Sequence, residues 1–342
     1  MRRWTWLAAG VIGLVCLSLA VGRVAGWGGP ASPAAADTSP AATSPAECGA
    51  NAQAPTPVTK ILVLIMENTD YGTVIGSPEA PTINALAQAC GLATNYHGIQ
   101  FPSLPNYVAV TSGQIPAFIA GDGSRGRDCL PAGACTSSDA SIFSQLDQPG
   151  TARSWKAYAE SMPQPCFTRN QGQYVARHNP PVYYTGLQAS CRTNDVPMGT
   201  PAGGALAADL AAGTLPSYGV LVPNLCNDGH DACNGQSRVS EEDQTVATWL
   251  PAITSSTDYQ SGHLLVILTA DTSEAPANGN QLATILVNPN IRPGTRVSTR
   301  YDHYALLRLT EQLLGLPPLA NAAHAADMAG PFNLPSPSTQ TP

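Results

Sequence analysis

Positive charge is scarce in this sequence. Its 342 residues include only two lysines, Lys60 and Lys156, and the formal net charge is −7. A nucleic-acid partner requires clustered basic residues, whereas the arginines here are scattered. No basic amphipathic helix that would favour binding to a lipid surface is evident either. The composition therefore argues against nucleic acid as a partner, and it gives no support for a membrane-surface protein.

Long uncharged runs are also rare, and the clearest one lies at the N-terminus. Residues 4–22 carry no charge, Arg2 and Arg3 precede them, and Arg23 follows. This pattern is typical of an export signal over residues 1–26, although the run is almost long enough to span a bilayer as an uncleaved anchor. In either case we expect the remaining chain to be secreted or to lie at the cell surface, with a membrane contact only through this segment.

Cys-x-x-Cys pairs are absent, which disfavours a zinc site built from cysteines. The cysteines that follow Cys16 are even in number, which in an exported chain predicts disulfides instead. The sequence does not fix their pairing, and we expect neighbours along the chain to pair. Beyond Cys16 in the leader, this gives Cys48 with Cys90, Cys129 with Cys135, Cys166 with Cys191, and Cys226 with Cys233.

Composition divides the rest of the chain into three parts. Residues 27–57 are rich in Ala, Pro and Ser and are predicted to form a linker. Residues 58–332 have the length and apolar content of one folded domain. Residues 333–342 resemble the linker in composition and are predicted to be a flexible tail, and no internal repeat is visible.

Apolar runs and helical patterns alternate within the domain. Strands are expected at "KILVLIM" (60–66), "YGVLVP" (218–223), "HLLVILT" (263–269) and "ATILVN" (283–288). Helices are expected over 80–90, over 240–253 starting at Ser240, and over 303–315. Apolar runs buried on both faces indicate an α/β fold with a mostly parallel central sheet flanked by helices. Long disulfide-stapled loops are expected between residues 114 and 217.

Polar residues follow three of these predicted strands. Glu67 and Asn68 follow the first, Asp228 and His230 follow the second, and Asp271 follows the third. The carboxyl ends of parallel strands share one edge of a sheet, where ligands usually bind. Each residue alone is compatible with an ordinary turn, since Asp and Asn are common there. His230 alone could belong to a disulfide-closed loop.

The stretch "FPSLPNYVAVTSG" places Ser103 at the start of a probable helix. Free backbone N–H groups at a helix start favour an incoming phosphate, so Ser103 could act as a nucleophile. Serine is also a common N-cap, and from the local sequence alone that structural role is the simpler interpretation.

Several motifs together carry a family resemblance, and they span roughly residues 58–332. They are "VLIMENTDYGTVIG", "APTINALAQACGLATNYHGI", "PSLPNYVAVTSG", "YVARHNPPVYY", "VPNLCNDGHDAC" and "YDHYALLRLTEQLLGL". The chain resembles the bacterial phosphoesterase family of the alkaline phosphatase superfamily, which includes secreted acid phosphatases, phosphatidylinositol phosphatases and phospholipases C. The resemblance implies an alkaline-phosphatase-like fold and a site that depends on divalent metal ions, with Zn, Ca, Mg and Mn all open.

The resemblance also implies a role for each residue of the site. Ser103 would be the nucleophile, forming a phosphoseryl intermediate, and Asn106 would steady a phosphoryl oxygen. Arg177 and His178 would contact the substrate, although Arg177 could also be an ordinary solvated charge. The implied metal ligands are Glu67, Asn68, Asp228, His230, Asp271 and His303, although His303 could also be a structural residue at a helix start.

Two positions depart from the family pattern. Phe101 stands where a histidine is common, and Thr272 stands where a carboxylate is common, unless Glu274 replaces that carboxylate. The sequence therefore predicts an exported, metal-dependent hydrolase of phosphoric esters, most simply a phosphomonoesterase of the acid phosphatase type. A phospholipase C or another phosphodiesterase is the alternative enzyme. A degenerate, non-catalytic binding protein is the alternative that the two departures favour.

Overall fold

The computed structural model of the chain describes residues 48–122, 125–274 and 279–336. The predicted leader, residues 27–47 of the predicted linker and residues 337–342 of the predicted tail lie outside these ranges. Within the described residues, no helix has the length and apolar character needed to cross a membrane.

The described residues form a nine-stranded sheet with the order β4-β3-β5-β1-β6-β7-β2-β8, and β9 pairs with β2. The strands are β1 (Lys60–Met66), β2 (Gly91–His97), β3 (Trp155–Ala159), β4 (Asp195–Pro197), β5 (Tyr218–Val222), β6 (Leu264–Ala270), β7 (Gln281–Val287), β8 (Arg296–Val297) and β9 (Tyr301–Asp302). Pairing is parallel except along both edges of β7. The α/β fold with a mostly parallel sheet is therefore confirmed.

The α-helices connect the strands and flank the sheet. They are α1 (Tyr71–Val74), α2 (Pro81–Ala89), α3 (Ser103–Ser112), α4 (Ala117–Ala120), α5 (Ile142–Leu146), α6 (Gln188–Asn194), α7 (Ala205–Ala212), α8 (Arg238–Thr254), α9 (Thr257–Gln260) and α10 (His303–Leu314). Short 3₁₀ turns occupy Ala176–His178, Pro180–Tyr183, Thr185–Leu187 and Ala320–His324. The segment 114–217, expected to be mostly loop, contains several of these elements.

Helix boundaries follow from their caps. Helix α10 begins at an N-cap, Asp302, whose side chain accepts from two backbone N–H groups, and it ends at Gly315 in the left-handed conformation, as the sequence predicts. Helix α8 begins earlier than expected. Its N-cap is Ser237, which accepts from the N–H of Ser240, so Ser240 itself lies inside the helix.

All four expected disulfides are present and confirm the pairing of neighbours. The Cys48–Cys90 bond joins the segment before β1 to the end of α2. Asn333 donates to the carbonyl of Ala52, and Leu334 is buried. The packed part of the described chain therefore reaches from Cys48 to Leu334, beyond both ends of the predicted domain.

Candidate active site

The three central strands β5, β1 and β6 are adjacent and parallel, and polar segments follow each of them. The backbone N–H of Glu67 donates to the carbonyl of Asp228 at 2.8 Å. The N–H of Asp271 donates to the carbonyl of Met66, the last residue of β1, at 3.0 Å. The strand order thus brings Glu67, Asp228 and Asp271 to one edge of the sheet.

Ser103 is the first residue of α3 and is 3% exposed. Pro102 holds the N-cap position, so Ser103 is not the cap that the local sequence suggests. Its Oγ instead donates a hydrogen bond to Oε1 of Glu67, across from β1. The hydroxyl is therefore directed into the buried edge of the sheet.

Several side-chain oxygens beside this hydroxyl are buried without a partner. Among the described residues, no donor group hydrogen-bonds to Oε2 of Glu67, Oδ1 of Asn68 or Oδ2 of Asp271, and the carboxyl groups of Glu67 and Asp271 lie close enough together to share a proton. Asn68 also has a positive φ of 56°, an uncommon backbone conformation for a residue other than glycine. Buried polar atoms are normally paired, so these oxygens point to a ligand. We call Glu67, Asn68, Ser103 and Asp271 the inner group.

His178 lies between two carboxylates of the site. Its Nε2 is 2.5 Å from Oε1 of Glu67 and its Nδ1 is 3.0 Å from Oδ2 of Asp228. Burial disfavours the charged imidazole, but the two carboxylates raise the pKa of His178 to about 9. Burial likewise would raise the pKa of Glu67, but contact with His178 brings it well below its usual range. We therefore expect a charged Glu67–His178 pair at neutral pH.

Asp271 and Asp228, the other two carboxylates of the site, have too little positive charge around them to offset their burial. Burial, followed by the nearby Glu67, raises the pKa of Asp271 well above its ordinary value. Burial also raises the pKa of Asp228, although His178 opposes this. One imidazolium cannot balance three buried carboxylates, so the inner group fits a divalent cation.

A second set of side chains lies next to the first and is partly exposed. Arg177 Nη2 is 3.1 Å from Nε2 of His230, and Arg177 Nε is 3.5 Å from Oδ2 of Asp128. His230 Nδ1 is 2.8 Å from Oδ1 of Asp231. We call Arg177, His230 and Asp128 the outer group. The backbone N–H of His230 donates to Oδ1 of Asp228, which links the outer group to the buried site.

Two expected site residues are engaged elsewhere. The side-chain amide of Asn106 bonds only to backbone groups of residues 99–102, including a donation to the carbonyl of Gln100 at 2.6 Å. His303 Nδ1 is 2.9 Å from the hydroxyl of Tyr96, and its Nε2 is 2.5 Å from the backbone carbonyl of Asp271. These bonds hold the turn before α3 and the segment after β6 in place.

Sequence reasoning missed two residues of the site. Tyr107 stacks on His178 with ring centroids 5.2 Å apart, and its buried hydroxyl has no hydrogen-bond partner among the described residues. Asp128 accepts from the N–H of Leu104 at 3.0 Å, although it is far from α3 in sequence. Tyr107 stands in the quoted "PSLPNY" motif and could have been included, whereas no local signal marks Asp128.

A tight set of metal-binding residue types also occurs away from this site, at Cys166, Cys191 and Asp195. The two cysteines form a disulfide, so they offer no thiolate to a metal ion. This set is therefore not a competing metal centre.

Residues 76–317 match the Phosphoesterase family. The chain belongs to the Phosphoesterase family.

Several proteins of similar sequence are named as phosphatases. A probable acid phosphatase of Kluyveromyces lactis is 29% identical over 272 residues, covering 76% of this chain and 59% of that protein. An acid phosphatase of Aspergillus fumigatus is 27% identical, covering 74% of this chain and 54% of that protein. A phosphatidylinositol-3-phosphatase of Mycobacterium tuberculosis is 25% identical, covering 78% and 80%. The chain thus spans between half and two thirds of the length of the two fungal relatives.

Solved structures share the fold of this Phosphoesterase family chain. A protein of the alkaline phosphatase superfamily from Vibrio parahaemolyticus has a TM-score of 0.53 at 13% identity, covering 79% of this chain and 71% of that one. A sulfatase from Pseudoalteromonas has a TM-score of 0.51 at 14% identity, covering 82% and 72%. At such identities the likeness establishes the fold alone.

The two departures from the family pattern have structural explanations. The hydroxyl of Thr272 donates to the carbonyl of Gln100 at 2.9 Å, so it stabilises the segment beside α3. Glu274 does not replace the missing carboxylate, because it is exposed and pairs with Arg238 at 2.8 Å. The ring of Phe101 lies under the guanidinium of Arg125, 5.1 Å from it.

Proposed function

We propose that this chain is a metal-dependent hydrolase of phosphoric esters that acts on monoesters through Ser103. Family membership and the phosphatase names of three relatives support a phosphoric ester substrate. The predicted leader and the four disulfides support a secreted or cell-surface location.

One observation carries the proposal. Ser103 begins a ten-residue helix, and its hydroxyl donates to a buried carboxylate that keeps its second oxygen unpartnered. A serine held only for packing would not be placed against Glu67 in a cluster with surplus negative charge. The arrangement suits a nucleophile whose proton is accepted by a neighbour.

The residues present fit a divalent cation. The unpartnered oxygens of Glu67, Asn68 and Asp271 would hold it, and an all-oxygen donor set suits Mg, Ca or Mn better than Zn. When bound, the ion would supply positive charge that stabilises the attacking oxygen and the phosphoryl group. Asp228 and His230, also expected to be metal ligands, are already bonded to each other and to His178, Asp231 and Arg177.

The chain's own residues provide the remaining steps. Oγ of Ser103 bonds to phosphorus as its proton passes to Oε1 of Glu67, the P–O bond to the leaving group breaks, and the leaving oxygen takes a proton from water to depart as the alcohol. Arg177 is partly exposed at the edge of the site and would bind phosphoryl oxygens. A water molecule then attacks phosphorus and gives a proton to solvent, the P–Oγ bond breaks, and Oγ takes back the proton held by Glu67, which releases phosphate and restores the hydroxyl.

A non-catalytic binding protein is the second candidate, because Thr272 provides no carboxylate and Glu274 does not replace it. Metal analysis of the purified chain, followed by a panel of aryl monophosphate and choline phosphodiester substrates with defined metals, separates the candidates. We expect bound divalent metal and faster turnover of the monoester. Faster turnover of the diester indicates a phosphodiesterase, and bound metal without any turnover indicates the binding protein.

A further inference from the structure

Asp128 occupies the helix start next to the proposed nucleophile. Its Oδ1 accepts from the backbone N–H of Leu104 at 3.0 Å, and Leu104 directly follows Ser103. The N-cap residue Pro102 offers no side-chain cap, so Asp128 reaches this N–H from a distant loop. A carboxylate here interacts favourably with the helix dipole, as a phosphate oxygen would.

The first turn of α3 offers few backbone donors. Pro105 lacks an N–H, so the amides of Ser103 and Leu104 are the donors at the start of the helix, and Asp128 accepts from the second of them. Oδ2 of Asp128 lies 3.5 Å from Nε of Arg177. The carboxylate therefore uses one amide and one guanidinium, the same types of donor that bind a phosphoryl group.

The loop that carries Asp128 is fixed on both sides. The N–H of Gly126 donates to the carbonyl of Phe101 at 2.8 Å, and the hydroxyl of Tyr183 donates to the carbonyl of Cys129 at 2.6 Å. A Cβ at Gly126 would come within 2.6 Å of Pro105 Cγ, so this close approach to α3 requires glycine. The Cys129–Cys135 disulfide closes the loop directly after Asp128.

A second feature points to a ligand beside the inner group. The hydroxyl of Tyr107 is buried and unpartnered, and it lies close enough to Asp271, Glu67, Asp228 and Arg177 for their charges to act on it. Among the residues that the structure describes, no acceptor or donor satisfies this hydroxyl. A phosphoryl oxygen bound between the inner and outer groups would satisfy it.

We propose that Asp128 is a binding-site residue that holds the phosphate position as an internal anion and competes with phosphate for Leu104 N–H and Arg177. This rests on the proposed function. An incoming phosphoryl group must displace the carboxylate or be repelled by it, and the bound product is repelled in the same way. Asp128 therefore weakens the binding of free phosphate and favours product release.

The test is the affinity of the full, metal-supplied chain for inorganic phosphate, measured by calorimetry. Asp128→Asn keeps an oxygen that can accept from Leu104 while it removes the charge, and Asp128→Ala removes both. We expect both variants to bind phosphate about three- to tenfold more tightly than the wild type, since a like charge a few ångströms away is removed. Asp122→Asn removes an exposed charge from the same region and should leave the affinity unchanged.

Phosphate affinity that stays within twofold of wild type, or that weakens, in the Asp128 variants overturns the proposal. Equal tightening in Asp122→Asn also overturns it, because the effect would then be one of overall charge. The failure of the proposed function is seen separately, as absence of turnover of any phosphate ester by the wild type. Phosphate binding is measured without turnover, so the comparison between the variants still decides the role of Asp128.

Discussion

The inner and outer groups of the site are contiguous but differ in burial and in how well their polar atoms are satisfied. Three inner oxygens, on Glu67, Asn68 and Asp271, are buried and have no partner among the described residues. The outer side chains of Arg177 and His230 are partly exposed and bonded to each other, and Arg177 also pairs with Asp128.

The difference indicates which ligand each group suits. Leaving a buried carboxylate oxygen unpaired is costly, so the inner group is stable only if a cation is supplied or a proton is retained. The outer group is already satisfied in water, and its donors exchange partners at little cost. We therefore expect changes to the inner group to abolish chemistry and changes to the outer group to alter binding.

Ser103→Ala should have the largest effect. It removes the proposed nucleophile from the inner group, and we expect aryl monophosphate turnover to fall about a thousandfold or more. Ser112→Ala is the matched control, because Ser112 is buried in the same helix and donates to the backbone carbonyls of Val108 and Gln114. Normal turnover by metal-loaded Ser103→Ala would refute the nucleophile.

Glu67→Gln should come next. It removes one of the inner carboxylates, so we expect the affinity for divalent metal and the turnover each to fall about a hundredfold, with less metal retained after purification. Metal content is measured by elemental analysis. Glu311→Gln, a buried glutamate in α10, should keep its metal. Full metal content in Glu67→Gln would mean that the inner oxygens do not hold the ion.

Arg177→Gln should act on binding. The outer group supplies the guanidinium that would contact phosphoryl oxygens, so we expect KM to rise about tenfold with a smaller change in kcat. Arg169→Gln removes an exposed charge nearby in sequence and should leave both constants unchanged. A large fall in kcat at constant KM would place Arg177 with the inner group instead.

Asp195 serves as a comparison with the inner group, because it is a buried acid for which no bound cation is proposed. Burial raises its pKa to about 7, while Asn179 donates to it at 2.8 Å. Because the folded pKa lies above the unfolded one, its stabilising contribution is complete below about pH 4 and is lost as the pH rises through 7. Denaturant unfolding should show Asp195→Asn to be more stable than wild type at pH 8, by roughly 4 kcal/mol at most, and similar to it at pH 4.

Asp209→Asn should behave in the opposite way. Burial raises its pKa, but Lys156, Tyr158 and Thr214 lower it below the ordinary value. Its contribution is therefore present above about pH 4 and is lost as the pH falls, so the variant should be slightly less stable than wild type at pH 7. Identical pH profiles for the two variants would contradict this assignment of charges.

The sequence by itself determined the fold class and the main strands, and the expectation that neighbouring cysteines pair proved correct. The runs at 60–66, 218–223 and 263–269 are almost entirely apolar, because central parallel strands are buried on both faces, and this pattern is visible locally. Three of the disulfides join cysteines 6, 25 and 7 positions apart, so neighbour pairing is mostly local there, whereas Cys48 and Cys90 are 42 positions apart. Strands such as β2 and β3 carry weaker patterns, and sequence reasoning did not find them.

Only the tertiary structure decided how the polar groups are used. The order β5-β1-β6 joins residues more than 200 positions apart, as in the bond from the N–H of Asn68 to Oδ1 of Asp271. The tertiary structure also bonds the side-chain amide of Asn106 within the turn before α3, and it brings the carboxylate of Asp128 to the backbone N–H of Leu104. A residue's type sets what it can bind, but its partners depend on which distant segments the packed sheet brings within hydrogen-bond distance.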